Sequence, residues 1–112
     1  MREQAFLSLL GLCRRAGRLA LGHDPVLESL RRGKAKLVLL AEDFSARSAK
    51  DLLQAAEAAK VPVLRPGVSL AALSAAVGRR AGALACEDAG FAGKLQELCD
   101  CLLYTSDAAD DL

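Results

Sequence analysis

Few residues in this chain are arranged to do covalent chemistry. The one histidine, His23, precedes a helical stretch and has no Ser or Cys partner near it in sequence. Nucleophilic catalysis needs a base beside its nucleophile, so that pattern is missing. Neither Gly-x-Gly-x-x-Gly nor Gly-Lys-Ser/Thr occurs, which removes the signatures of dinucleotide and P-loop phosphate binding. Glu42-Asp43 would suit the acidic pocket of a phosphorelay receiver or a metal site. A receiver carries further acids after its first strand, however, where this chain is basic, and adjacent carboxylates on extended backbone point to opposite faces. Of the four cysteines, Cys13 and Cys86 fall on apolar stretches, while Cys99 and Cys101 form a single Cys-x-Cys far from His23. Structural zinc wants four suitably spaced ligands. The expectation is a non-catalytic chain with no metal and no cofactor.

The segment from Gly22 to Gly33 says more. A glycine turn leads into a helix start, whose unpaired N–H groups can receive a phosphate. Arg31 and Arg32 occupy the same helix, Lys34 and Lys36 follow it, and Arg79 and Arg80 fall in a later loop, expected at the edge of the same sheet. Basic groups from two loops and a helix start suit a folded RNA backbone. From spacing alone, an ordinary capped helix with surface arginines fits equally well.

The elements that would position these residues alternate along the chain. Phe6, Leu9, Leu10 and Cys13 repeat at helical spacing, with Ser8, Gly11 and Arg15 on the other side. Arg18–Leu21 reads as a short strand. Asp24 reads as the N-cap of a second helix with Pro25 at its first position, Val26, Leu27 and Leu30 on its apolar side, and Gly33 as its stop. Lys36–Ala41 is a continuous apolar run behind one charge, the mark of a strand buried on both faces. Ser45 caps a third helix with apolar positions Ala49, Leu52, Leu53, Ala56 and Ala59, and Val61–Leu64 is the next strand. Ser69 caps a fourth helix closed by Gly78, Ala83–Cys86 is the last strand, and a final helix runs from about Ala89 past Leu98. Alternation of this kind predicts an α/β fold, with helices on both faces of one sheet.

Composition bounds the rest. The chain has 112 residues, 53% of them apolar, and its core material is 22 Leu and 22 Ala with no Ile or Trp. That length predicts one domain, and the apolar content excludes disorder. Phe6, Phe44, Phe91 and Tyr104 are the only aromatics, too few and scattered for a base-stacking platform. The apolar start Ala5–Cys13 is followed by Arg14-Arg15 and not by a small-residue cleavage site, and no apolar run approaches a membrane-spanning length. A cytoplasmic protein without a membrane partner is expected. Residues 1–36 carry eight Lys/Arg against three acids, whereas 104–112 carry three Asp and no base. The basic part suits a phosphate-bearing partner, although a solvated face has the same signature. The acidic tail, 104–112, reads as disordered or foreign to the fold, leaving 1–103 as the domain.

Several ordered segments then resemble the ribosomal L-seven-Ae and L-thirty-e family in its short bacterial form. They are Leu12–Gly17, Gly22, Arg32–Asp43, Val61-Pro62-Val63, Leu73–Gly78 and Asp88–Ala92, together spanning about residues 5–98. The resemblance implies a three-layer α/β/α sandwich with a roughly four-stranded mixed sheet. It also implies non-catalytic binding, as a monomer, of kink-turn RNA: a sharply bent duplex with tandem sheared G·A pairs, ribosomal or regulatory. By position, Gly22, His23, Asp24 and Glu28 fall on the helix that faces the G·A pairs. Arg32 and Lys36 fall near phosphates, and the loop Arg79, Arg80, Ala81 and Gly82 touches the protruding nucleotide.

The chain departs from the family's pattern after the glycine, x-Asn-Glu-x-x-Lys, with His23-Asp24-Pro25-Val26-Leu27-Glu28. Asp24 can accept hydrogen bonds but cannot donate as Asn would. Pro25 removes an acidic side chain and an N–H. Glu28 sets a negative charge where a lysine would meet phosphate, a reversal costing on the order of 1–2 kcal/mol or more. Arg79-Arg80 are more charged than the family's usually apolar loop and offset part of this. Two other readings remain at this point: a protein-interaction module of the same fold, and a receiver-like or small-molecule domain centred on Glu42 and Asp43.

Overall fold

Leu37, Val38, Leu39 and Leu40 are all fully buried, and a strand with two apolar faces requires a layer on each side. The computed structural model describes residues 3–99 and supplies both layers. The elements are α1 (Glu3–Arg15), β1 (Leu19–Leu21), α2 (His23–Arg31), β2 (Leu37–Leu40), α3 (Ala46–Ala59), β3 (Val63–Leu64), α4 (Leu70–Val77), β4 (Ala83–Cys86) and α5 (89–99). The acidic tail and Cys101 lie outside the described residues.

The four strands are ordered β1-β4-β2-β3, with β2 parallel to β3 and β4 antiparallel to both its neighbours. The mixed sheet is the one expected, with one correction. β4 lies inside the sheet, so the Arg79–Gly82 loop enters an interior strand and is not at the sheet's edge.

Strand side chains alternate between faces, and each face has its own core. Leu37, Leu39, Leu84 and Cys86 pack with Phe6, Leu10 and Cys13 of α1, Leu73 and Val77 of α4, and Leu95 and Leu98 of α5. Val38, Leu40, Ala83 and Ala85 pack with Val26 and Leu30 of α2 and with Ala49, Leu52 and Ala56 of α3. This is the α/β/α sandwich. Two predicted apolar positions of α3 fall off its buried stripe: Leu53 is 42% exposed and Ala59 faces solvent.

The predicted caps of α3 and α4 hold. Ser45 Oγ accepts from the Ser48 N–H at 3.5 Å and Ser69 Oγ from the Ala72 N–H at 3.1 Å, and Gly78 closes α4 in the left-handed region. The start of α2 differs. Its N-cap is Gly22, at φ 101°, so Asp24 and Pro25 are the second and third helical residues and no side chain caps the helix. The cause is a tether: the Gly22 N–H donates to the Ala83 carbonyl at 2.8 Å, so the helix begins directly at the strand end. Pro25 is tolerated there because first-turn N–H groups have no intrahelical acceptor. The helix ends as expected, with Gly33 left-handed, its N–H on Leu30 O and the Lys34 N–H on Ser29 O.

Candidate nucleic-acid interface

Two backbone hydrogen bonds assemble one end of the sheet. The Gly22 N–H reaches Ala83 O at 2.8 Å, and the Ala41 N–H reaches Gly82 O at 2.9 Å. The start of α2 and the loop before β4, more than fifty residues apart in sequence, therefore stand side by side. Gly22, His23, Asp24 and Arg79–Gly82 are brought together, as the site reading requires.

The loop's shape comes from residues the sequence reading did not single out for it. The Ala81 N–H donates to Ser74 Oγ at 3.0 Å, and that hydroxyl sits 3.4 Å from Ala81 O. Gly82 has no room for a side chain: a Cβ there would stand 2.7 Å from Phe44 Cδ1 and 2.8 Å from Leu70 Cδ1. Ala81 and Gly82 are buried, whereas Arg79 and Arg80 are exposed. Of the four loop residues, the two arginines thus face solvent and the other two set the loop. The signal in sequence was slight: a single hydroxyl on α4 just ahead of its terminal glycine.

His23 is held in place. Its Nδ1 is 3.1 Å from Asp24 Oδ1 and its Nε2 3.8 Å from Asp51 Oδ2 on α3, with the side chain 31% exposed. The Asp24 side chain is 96% exposed. Glu28 and Arg32 form an i,i+4 pair, Oε2 to Nε at 2.6 Å, on the outer face of α2. Both are more than half exposed, so the pair contributes only about 0.3–0.5 kcal/mol and opens readily to a competing phosphate.

Lys36 lies elsewhere. Its N–H donates to Cys86 O at 2.7 Å, and Leu37 pairs with Cys86 while Leu40 pairs with Ala83. It therefore stands at the opposite end of the sheet from Gly22. Helix α2 joins the two ends, since nine steps of about 1.5 Å carry the chain about 14 Å from His23 to Arg32. The predicted residues form two groups linked by the outer face of one helix, not a single cluster.

Glu42 and Asp43 sit at the Gly22 end, but Asp43 has a structural task. Its Oδ1 accepts from the Leu70 N–H at 2.7 Å, capping α4. Among the described residues, no group of three or more His, Cys, Asp or Glu is placed to hold a metal ion, and no helix is long and apolar enough to cross a membrane. Cys13 and Cys86 are buried with their sulfurs 3.6 Å apart. The contact with Cys86, reinforced by burial, holds the Cys13 thiol above the ordinary thiol range.

A mixed four-stranded α/β/α sandwich, with a glycine-started helix and an arginine loop at one sheet end, is the class of protein that the fold and the site define. The chain belongs to the ribosomal protein L7Ae/L30e/S12e/Gadd45 family, whose model matches residues 4–96. It is 39% identical over 101 residues to the RNA-binding protein YlxQ of Bacillus subtilis, covering 89% of this chain and all of the relative. It is 31% identical to the RNA-binding protein YlxQ of Enterococcus faecium, covering 86% and 92%. Among solved structures, a protein of unknown function from Bacillus halodurans superposes with a TM-score of 0.80 at 34% identity, covering 85% of this chain and 96% of that one. The 15.5kD RNA binding protein of Giardia lamblia has the same fold, with a TM-score of 0.68 at 20% identity, covering 90% and 87%.

Proposed function

We propose that this chain, over residues 1–103, is a non-catalytic RNA-binding domain that recognises bent, structured RNA of the kink-turn kind, acting as a cytoplasmic monomer. The observation that carries the reading is the pairing of Gly22 with Ala83, which sets the uncapped start of α2 beside Arg79 and Arg80. Two relatives that are themselves named RNA-binding proteins support it.

The chemistry suits the task. Free N–H groups at the start of α2 and the exposed Asp24 carboxylate offer donors and an acceptor to base edges, while Arg79 and Arg80 offer charge to the backbone. The reversed charge at Glu28 is masked by Arg32 at 2.6 Å. The contact occupies Arg32 Nε, so a phosphate meets the remaining guanidinium N–H groups in competition with the Glu28 charge.

The test is titration of the full chain against a kink-turn RNA and against the same RNA with its G·A pairs replaced. Sub-micromolar binding that disappears on replacement supports the reading. Equal, weak binding to both overturns kink-turn recognition and favours the second reading, a protein-interaction module. The observation behind that alternative is the groove between α1 and α4, where Leu12 is 53% exposed.

A further inference from the structure

Lys36 and four basic residues outside the predicted site gather at the end of the sheet opposite Gly22. There β1 begins, β4 ends and β2 begins, since Leu19 and Leu37 both pair with Cys86. The Glu87 N–H donates to Arg18 O at 2.8 Å and the Lys36 N–H to Cys86 O at 2.7 Å, so Arg18 and Lys36 flank the end of β4 from either side. Two strand spacings separate them by about 10 Å. Arg14 and Arg15 end α1 on one face of the sheet, and Lys34 follows the end of α2 on the other. All five are exposed, and none takes part in an ion pair among those of the described residues.

Among the described residues, three acids stand at this end, each with a hydrogen-bond partner and only Glu28 in an ion pair. Glu87 accepts from Ser29 Oγ at 2.7 Å, Asp88 caps α5 through the Phe91 N–H at 2.9 Å, and Glu28 holds Arg32. At the Gly22 end, by contrast, Arg47, Lys50, Arg65, Arg79 and Arg80 share their surroundings with Asp24, Glu42, Asp43 and Asp51. The excess of basic over acidic side chains is therefore larger at the end away from the arginine loop. Arg14 and Arg15 complement the α1 macrodipole, but Arg18, Lys34 and Lys36 lie outside helices, where that explanation does not apply.

We infer that Arg14, Arg15, Arg18, Lys34 and Lys36 form a second RNA-contact surface, which holds the backbone of the duplex flanking the motif docked at Gly22. The inference rests on the proposed RNA-binding function. Helix α2 supplies the path, because its outer face runs from Gly22 to Arg32 and delivers an RNA strand to Lys34 and Lys36. Recognition here is by charge, and so it is independent of sequence and steeply salt-dependent.

The experiment compares the full wild-type chain with the triple variant Arg14→Gln, Arg15→Gln, Arg18→Gln. One probe is a kink-turn RNA with minimal flanks, and the other is a plain RNA duplex of about two helical turns. The variant should bind the plain duplex at least tenfold more weakly, with a salt slope shallower by about two to three, and should bind the minimal kink-turn RNA as the wild type does. A triple Arg→Lys variant should retain duplex binding, which separates charge from any structural effect. Duplex binding equal in wild type and Gln variant, or undetectable in both, overturns the second surface. Loss of minimal-RNA binding by both proteins, with the duplex difference intact, overturns docking at Gly22 and leaves the basic end standing.

Discussion

The N–H of Gly22 lies 2.8 Å from the carbonyl of Ala83, and this one bond joins the two halves of the candidate interface. It ties β1 to β4, starts α2 at the sheet end and sets the helix beside the loop that carries Arg79 and Arg80.

Gly22→Ala tests the junction. At φ 101° a Cβ is strained even though its nearest neighbour, Pro25 Cδ, would be 3.7 Å away. The substitution should cost about 1–3 kcal/mol, read from urea unfolding. RNA affinity should fall further than the stability loss explains, because the start of α2 is displaced.

Glu28→Lys removes the partner of Arg32 and adds a cation on the same helical face. RNA binding should strengthen about tenfold, the equivalent of about 1.4 kcal/mol, with stability changed by less than about 0.5 kcal/mol because the lost pair is exposed. Unchanged affinity in a filter-binding titration would mean that the helix does not face phosphate and would sink the docking.

Ser74→Ala leaves the Ala81 N–H without its 3.0 Å acceptor in a part-buried site. An unsatisfied buried donor costs about 1–3 kcal/mol. No charge is removed, so any weakening of RNA binding would report the loop's shape alone. Wild-type affinity in a folded Ser74→Ala protein would show that Arg79 and Arg80 act without a fixed loop.

The buried Cys13 thiol makes alkaline stability depend on pH. Its contact with Cys86 and its burial raise it above the ordinary value of 9.0. Above that pH the unfolded chain releases this proton while the folded chain keeps it. The unfolded state then binds fewer protons, and stability falls as pH rises. The contribution is whole below about pH 9 and is lost progressively above it. The same contact shifts Cys86 the opposite way, so the control is the double variant Cys13→Ala, Cys86→Ala, which has neither thiol: urea midpoints at pH 8 and pH 10 should separate more for the wild type than for it.

Much of the architecture was legible in the chain. Four consecutive apolar residues at 37–40 signalled a strand buried on both sides, and Ser45, Ser69, Gly33 and Gly78 marked helix ends through local hydrogen bonds and backbone freedom. These signals depend on neighbours within a few residues, so sequence carries them. The cap of α2 was misread for the same reason. Asp24 before Pro25 has the local signature of a helix start, but the decisive partner, Ala83, is distant in the chain.

The sequence by itself determined the alternation of elements, the two apolar faces of β2, the basic bias of the first third and the residue types available to an RNA. Only the tertiary structure decided which of them meet. The strand order β1-β4-β2-β3 places Gly22 beside Arg79 and sends Lys36 to the far end, although Lys36 is much nearer to Gly22 along the chain. Strand order is a property of long-range pairing, set by which apolar faces bury one another. No spacing within the chain encodes it, so the division of the basic residues between two ends of one sheet had to come from the fold.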